Sequence, residues 1–199
     1  MPERVHDFWY EIPNGPALRQ GDILRQLVVI WLPQDLPVLE PIGPEIPVRP
    51  EWREGDWIIM SASCDVDRPT GYPQVLLGRV LPAIPGTFGL REEGTEFQKR
   101  LEVVRKGLDP SKFLLPRHPG VDPPFPLSVV QFRVHVTMPI DYLRRIPLER
   151  RLRLRHPFRE SFGNWVGANI SRVGPETPML IPGFGPKTWP ADVLGAADE

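Results

Sequence analysis

The chain has 199 residues, among them 27 prolines, 17 glycines and one cysteine, and a formal net charge of −1. Proline at about 14% is far above the ~5% average, yet 41% hydrophobic residues with six Trp and nine Phe supply a packed core and exclude wholesale disorder. A single cysteine excludes an internal disulfide and a CxxC-type zinc site, and glycine without a period of three excludes collagen.

The length suits one domain over 1–174 with a proline-rich arm over 175–199. The longest apolar run, 27–32, is far shorter than the roughly 18 to 20 residues of a membrane-spanning helix. The charged N-terminus is unlike a signal peptide, so the expected location is the cytoplasm.

In chain order, Gln20-Gly21-Asp22 is a turn signal that feeds a strand over 23–32. Pro33, Pro37, Pro41, Pro44, Pro47 and Pro50 then recur every third or fourth residue. Proline fixes φ and holds its predecessor extended, so 33–50 is read as an extended proline-rich insertion, ordered by its interleaved Leu, Val and Ile. Further strands are predicted over 57–61, 74–81 and 112–116, with turns between them.

Phe97, Leu101, Val104 and Leu108 form one apolar helical stripe. Thr95 and Gln98 stand where a capping box would place them, and Gly107 and Pro110 stop the helix. The charged residues 96, 99, 100, 102, 105 and 106 read as its solvated face. After a proline-dense loop over 119–126, Val130, Phe132, Val134, Val136 and Met138 alternate with polar residues and predict a strand with one core face. The same alternation returns in Arg151-Leu152-Arg153-Leu154-Arg155. A second helix is predicted over 157–173, with Gly163 and Gly167 permitting close backbone approach. The fold class expected is α+β: an antiparallel, partly open β-barrel with two helices and long proline-rich loops.

Charge is unevenly distributed. Residues 131–173 hold nine arginines, no lysine and three acids, a net +6, which leaves −7 elsewhere. A basic segment of this kind suits an anionic partner, RNA or another nucleic acid, and arginine pairs bidentately with phosphate. Arg133, Arg151, Arg153 and Arg155 are the candidate binding residues. If the 151–155 strand pairs beside 131–137, Arg133, Arg153 and Arg155 share one face with His135, a candidate general acid or base. The competing reading is a solvated strand face paired with Glu149 and Glu160.

A second candidate locus is Ser61-Ala62-Ser63-Cys64-Asp65 at a strand end. Asp65 is a candidate catalytic carboxylate, turn cap, metal ligand or acceptor for an arginine of the basic segment, and Asp22 has the same ambiguity. Ser61 and Cys64 are further candidates, although a nucleophilic Cys64 needs a base and no His lies within 50 residues. No cofactor or metal is expected.

Gln20-Gly21-Asp22-Ile23, then Ile58-Ile59-Met60-Ser61, then Val75-Leu76-Leu77, resembles the MazF/PemK-type toxin layout. The segment 59–66 also resembles bacterial proteins with a GDI…SxSCD pattern. The toxin resemblance covers about residues 20–81. It implies an SH3-like barrel and metal-independent RNA cleavage. The toxins carry an arginine before the Ser-ending strand, a place Arg53 can fill, and a hydroxyl on the next strand, which 74–80 lacks. Two functions follow as expectations: a nucleic-acid-associated protein of endoribonuclease type, or a non-catalytic module that binds a protein partner through its proline-rich segments. The second predicts an exposed apolar strip beside 33–50 or 175–190.

Overall fold

The structure, a computed structural model, describes residues 6–31, 51–66 and 74–170. The expectations for 33–50 and for the arm 175–199 lie outside the described residues. A single-turn helix α1 (His6–Trp9) leads into β1 (Tyr10–Glu11) and β2 (Asp22–Trp31), followed by β3 (Glu51–Ile59). The short helix α2 (Ser63–Val66), β4 (Gln74–Pro82) and α3 (Thr95–Arg105) come next. The chain continues through β5 (Lys112–Leu115), β6 (Ser128–Pro139), the short α4 (Ile140–Arg144), β7 (Arg151–Leu154) and α5 (Phe158–Ile170). The strands form one antiparallel sheet in the order β1-β7-β2-β3-β4-β6-β5.

The α+β class and the antiparallel pairing are as expected, and the barrel is not. Among the described residues β1 and β5 are opposite edges of an open sheet. Closure is unnecessary because both faces are already covered. On one face, α3 and α5 bring Phe97, Leu101, Val104, Phe158, Phe162 and Trp165 against Ile23, Ile58, Val80 and Val130. On the other face, Leu143 of α4, Val66 of α2 and Leu18 pack on Leu24, Leu27, Trp57 and Leu77. No helix among the described residues is long and apolar enough to cross a membrane.

Two bulges set which side chains face which layer. In β2 the register slips between Leu24↔Trp57 and Leu27↔Gly55, so one extra residue lets Leu24 and Leu27 reach the same core. Gln26 absorbs the turn at φ +51, a left-handed conformation, and its N–H donates to Asp56 Oδ1 at 2.9 Å. In β6, Gly78↔His135 is followed by Arg79↔Gln131, so three residues, 132–134, loop out of the ladder with β4. An odd insertion reverses the pleat. Val130 and Phe132 therefore join the core under the long helices, while Val136 and Met138 pack on the opposite one. The single core face expected for 130–138 is thus divided between two cores.

The expected helices form with corrected ends. Thr95 opens α3 as a helical residue, the N-cap being Gly94 with no side-chain cap bond, so the capping box is not made. At the other end Gly107 adopts φ +70 and the Leu108 N–H reaches Val103 O at 2.9 Å, a Schellman-type stop. The close backbone approach expected at the two glycines of α5 is not made: a Cβ at Gly163 would meet the end of the Gln20 side chain, 2.7 Å from its Oε1, and one at Gly167 would meet nothing within 4 Å.

Strand β7 departs most from expectation. Leu152 and Leu154 enter the core under α5, but Arg151 and Arg153 are buried too, at 2% and 5% exposure. Arg153 Nε donates to Asp22 Oδ1 at 2.6 Å and its Nη2 to Asp22 Oδ2 at 2.8 Å and Ala17 O at 2.8 Å. Arg151 donates to Pro16 O at 3.1 Å, and to Leu143 O, Arg144 O and Ile146 O at the end of α4. Burial pushes the Asp22 carboxyl above its ordinary range despite the pull of Arg153. The pair therefore fixes geometry more than it adds net stability, as expected when desolvation rivals the Coulomb gain. Asp22→Asn should cost about 3–5 kcal/mol in urea unfolding, because it strands a buried guanidinium. The double variant Asp22→Leu/Arg153→Met should lose less than the two single changes added together, because it removes both charges.

Candidate nucleic-acid interface

The four predicted binding arginines do not share a surface. Strand β7 is separated from β6 by β2, β3 and β4. Four strand spacings of ~4.8 Å put the two roughly 19 Å apart in the sheet. The expected pairing of 151–155 beside 131–137 is thus replaced by pairing of β7 with β1 and β2. Arg151 and Arg153 point into the layer between sheet and α4, where carbonyls and Asp22 hold them. Arg155 is exposed beyond β7, where its N–H bonds Trp9 O.

Arg133 on the β6 bulge and His135 at its edge, where the ladder with β4 resumes, are both exposed. The ring Nδ1 of His135 lies 3.3 Å from Phe132 O, and among the described residues no carboxylate bonds it. Asp65 lies on α2, with its side chain outside the described residues. Ser61 Oγ accepts the Leu76 N–H at 2.9 Å and ties the end of β3 to β4, while Cys64 is exposed on α2. Asp22 is the buried partner of Arg153 and has no access to a ligand.

The structure gathers a different set around Arg133. A cleft of about 670 Å³ opens between α3 and the β5 edge, lined by Phe88, Glu96, Lys99, Arg100, Val103, Leu108, Asp109, Lys112 and Gln131, among others. A smaller depression of about 180 Å³ adjoins it, lined by Ser111, Lys112, Gln131 and Arg133. Lys112 and Gln131 face each other across the β5–β6 pair and belong to both. The spacing of Glu96, Lys99, Arg100 and Val103 places them on one flank of α3, which is how a single helix supplies a wall.

Two cations in the cleft are anchored. Arg100 Nε donates to Glu96 at 3.1 Å, and Lys112 Nζ to Asp109 Oδ2 at 2.7 Å while lying 5.9 Å from the Phe88 ring centre. Lys99 and Arg133 have no acidic partner among the described residues. Asp109 organises the junction: its Oδ1 accepts the Ser111 N–H at 3.0 Å and the Ser111 hydroxyl at 2.5 Å. Burial pushes this carboxyl up, but the bonds from Lys112 and Ser111 outweigh it and hold it below its ordinary range. Asn169 of α5 ties in the adjoining loop through Pro110 O at 2.8 Å.

Lys99, Arg100, Lys112 and Gln131 were not among the residues singled out from the sequence. The signal that could have found two of them, Lys99 and Arg100, was the 96, 99, 100, 103 spacing on α3, which reads equally as a solvated face. Among the described residues, no cluster of three or more His, Cys, Asp or Glu is placed to hold a metal ion. Comparison with protein-family models, characterised proteins and solved structures finds no match.

The Asp109 bonds give a pH-dependent prediction. A carboxyl whose pKa is lowered on folding contributes stability that is fully present above its unfolded value, here 3.8, and is lost as pH falls through the folded one. Asp109→Asn should lower stability by about 1–2 kcal/mol at pH 7. The gap between the two proteins should narrow below pH 3.8 in paired denaturation curves.

Proposed function

We propose that this chain is a nucleic-acid-associated protein that holds a phosphate chain along the cleft between α3, β5 and β6. The observation that carries this reading is convergence. Lys99 and Arg100 from α3, Lys112 from β5 and Arg133 from the β6 bulge reach two adjoining depressions, on a chain whose net charge is −1. Local positive charge on a mildly acidic protein favours a polyanion at this place and disfavours it elsewhere.

In the MazF/PemK-type comparison the bound strand is also cut. That step would fall to His135, which stands exposed two residues from Arg133 and would exchange protons with a ribose hydroxyl or leaving oxygen. Binding does not depend on cleavage. RNA incubated with the protein in EDTA, and with His135→Ala, separates the two.

The binding claim predicts a salt signature. If Lys99 and Arg133 alone neutralise phosphates, the log–log salt slope for single-stranded RNA is about −1.4; with Arg100 and Lys112 as well, it approaches −2.8. Arg133→Ala should weaken binding and reduce the slope by about 0.7, while Arg155→Ala should leave both unchanged in fluorescence anisotropy. Absence of binding at low salt would overturn the reading.

A second reading, a non-catalytic module for a protein partner, has its own observation. Val28, Ile30 and Trp52 are exposed on one face of the β2–β3 ribbon beside 33–50, with Ile30 directly opposite Trp52 and Trp52 67% exposed. An exposed apolar strip of this kind supports that reading. Under it, Trp52→Ser abolishes capture of a specific partner and leaves RNA affinity unchanged.

A further inference from the structure

We infer that the cleft selects single strands and seats one unstacked base in its larger depression, with the adjoining phosphate in the smaller one. This deepens the nucleic-acid reading and rests on it. The two depressions differ in chemistry. The smaller one is lined by polar residues: Ser111, Lys112, Gln131 and Arg133 surround about 180 Å³, a lining suited to a phosphate.

The larger depression is within the range of pockets that enclose small organic ligands. Its cations share the lining with apolar side chains: the buried Phe88, and Val103, Leu108 and Pro110. Val103 and Leu108 are 40% and 56% exposed. The stop of α3 brings them to the same side of the cleft, since the Leu108 N–H bonds Val103 O. That local motif accounts for their position but leaves their outer surfaces in water. An unstacked base has an apolar face to cover them and polar edges for the Gln131 amide and the Lys99 ammonium.

A duplex has no such group to offer. Its base faces are stacked inside, and a convex backbone meets a concave apolar wall with nothing to bury. Phosphate attraction alone would not distinguish the two forms, so the apolar wall is the element that discriminates.

The test measures anisotropy of three probes at matched salt: single-stranded oligouridine, a blunt RNA duplex of the same length, and inorganic polyphosphate. The expected order is the single strand at least about tenfold tighter than either of the others. Leu108→Ser and Val103→Ser should each weaken the single strand about three- to tenfold, with its salt slope unchanged and the other two probes unaffected. Circular dichroism would confirm that α3 is intact. Equal affinity for all three probes, or an equal loss for all three in the serine variants, overturns the base-seating inference while the phosphate-binding reading stands. No salt-dependent binding of any probe overturns both.

Discussion

The buried pair between Asp22 and Arg153 is the constraint on which the remaining geometry depends. The two residues are directly opposed across the β2–β7 ladder, and the guanidinium also holds Ala17 O. One charged pair thus fixes the register of two strands and pins the segment that crosses them. Arg151, two residues earlier, gathers the carbonyls at the end of α4 and Pro16 O. Between them the two arginines tie β7 to residues 16–17 and to the end of α4, beside the apolar cluster on that face. Such a tie is exacting, since a guanidinium offers five donors in a fixed fork and each must meet an acceptor or remain a buried cost.

This use of two arginines redistributes the positive charge that the sequence concentrates in 131–173. The inner members of the group serve the framework, and those that remain at the surface are dispersed by the strand order. Arg155 leaves β7 at one end of the sheet, and Arg133 leaves β6 toward the other edge. The β6 bulge then matters more than the arginine count. By looping 132–134 out of the ladder it buries Phe132 and turns Arg133 toward Lys112, where α3 contributes the opposite wall. A proposed ligand site arises where a helix flank, an edge strand and a bulge meet, each supplying one or two cations.

Much of the fold was legible from local pattern. The alternation of 130–138, the apolar runs of β2 and β4, and the stripe Phe97-Leu101-Val104 each specify an element on their own. What pattern could not supply was pairing. Alternating Arg and Leu in 151–154 reads as a half-solvated strand, and only the arrival of α4 and residues 16–17 on its polar face makes it buried. The face reversal in β6 was equally hidden, because the three residues that loop out of the ladder are visible only against its partner strand. Of the candidate site, Arg133 was legible through its charge. Lys99 and Lys112 were not, since an exposed lysine on a helix or edge strand has an ordinary explanation in solubility and edge protection.

The division of labour between inner and outer arginines can be read directly by hydrogen–deuterium exchange with and without single-stranded RNA. The account predicts added protection in 95–112 and 128–135, where α3, β5 and the β6 bulge surround the cleft, and no change over 151–155. Protection centred on β7 and the start of α5, with 95–112 unaffected, would contradict it.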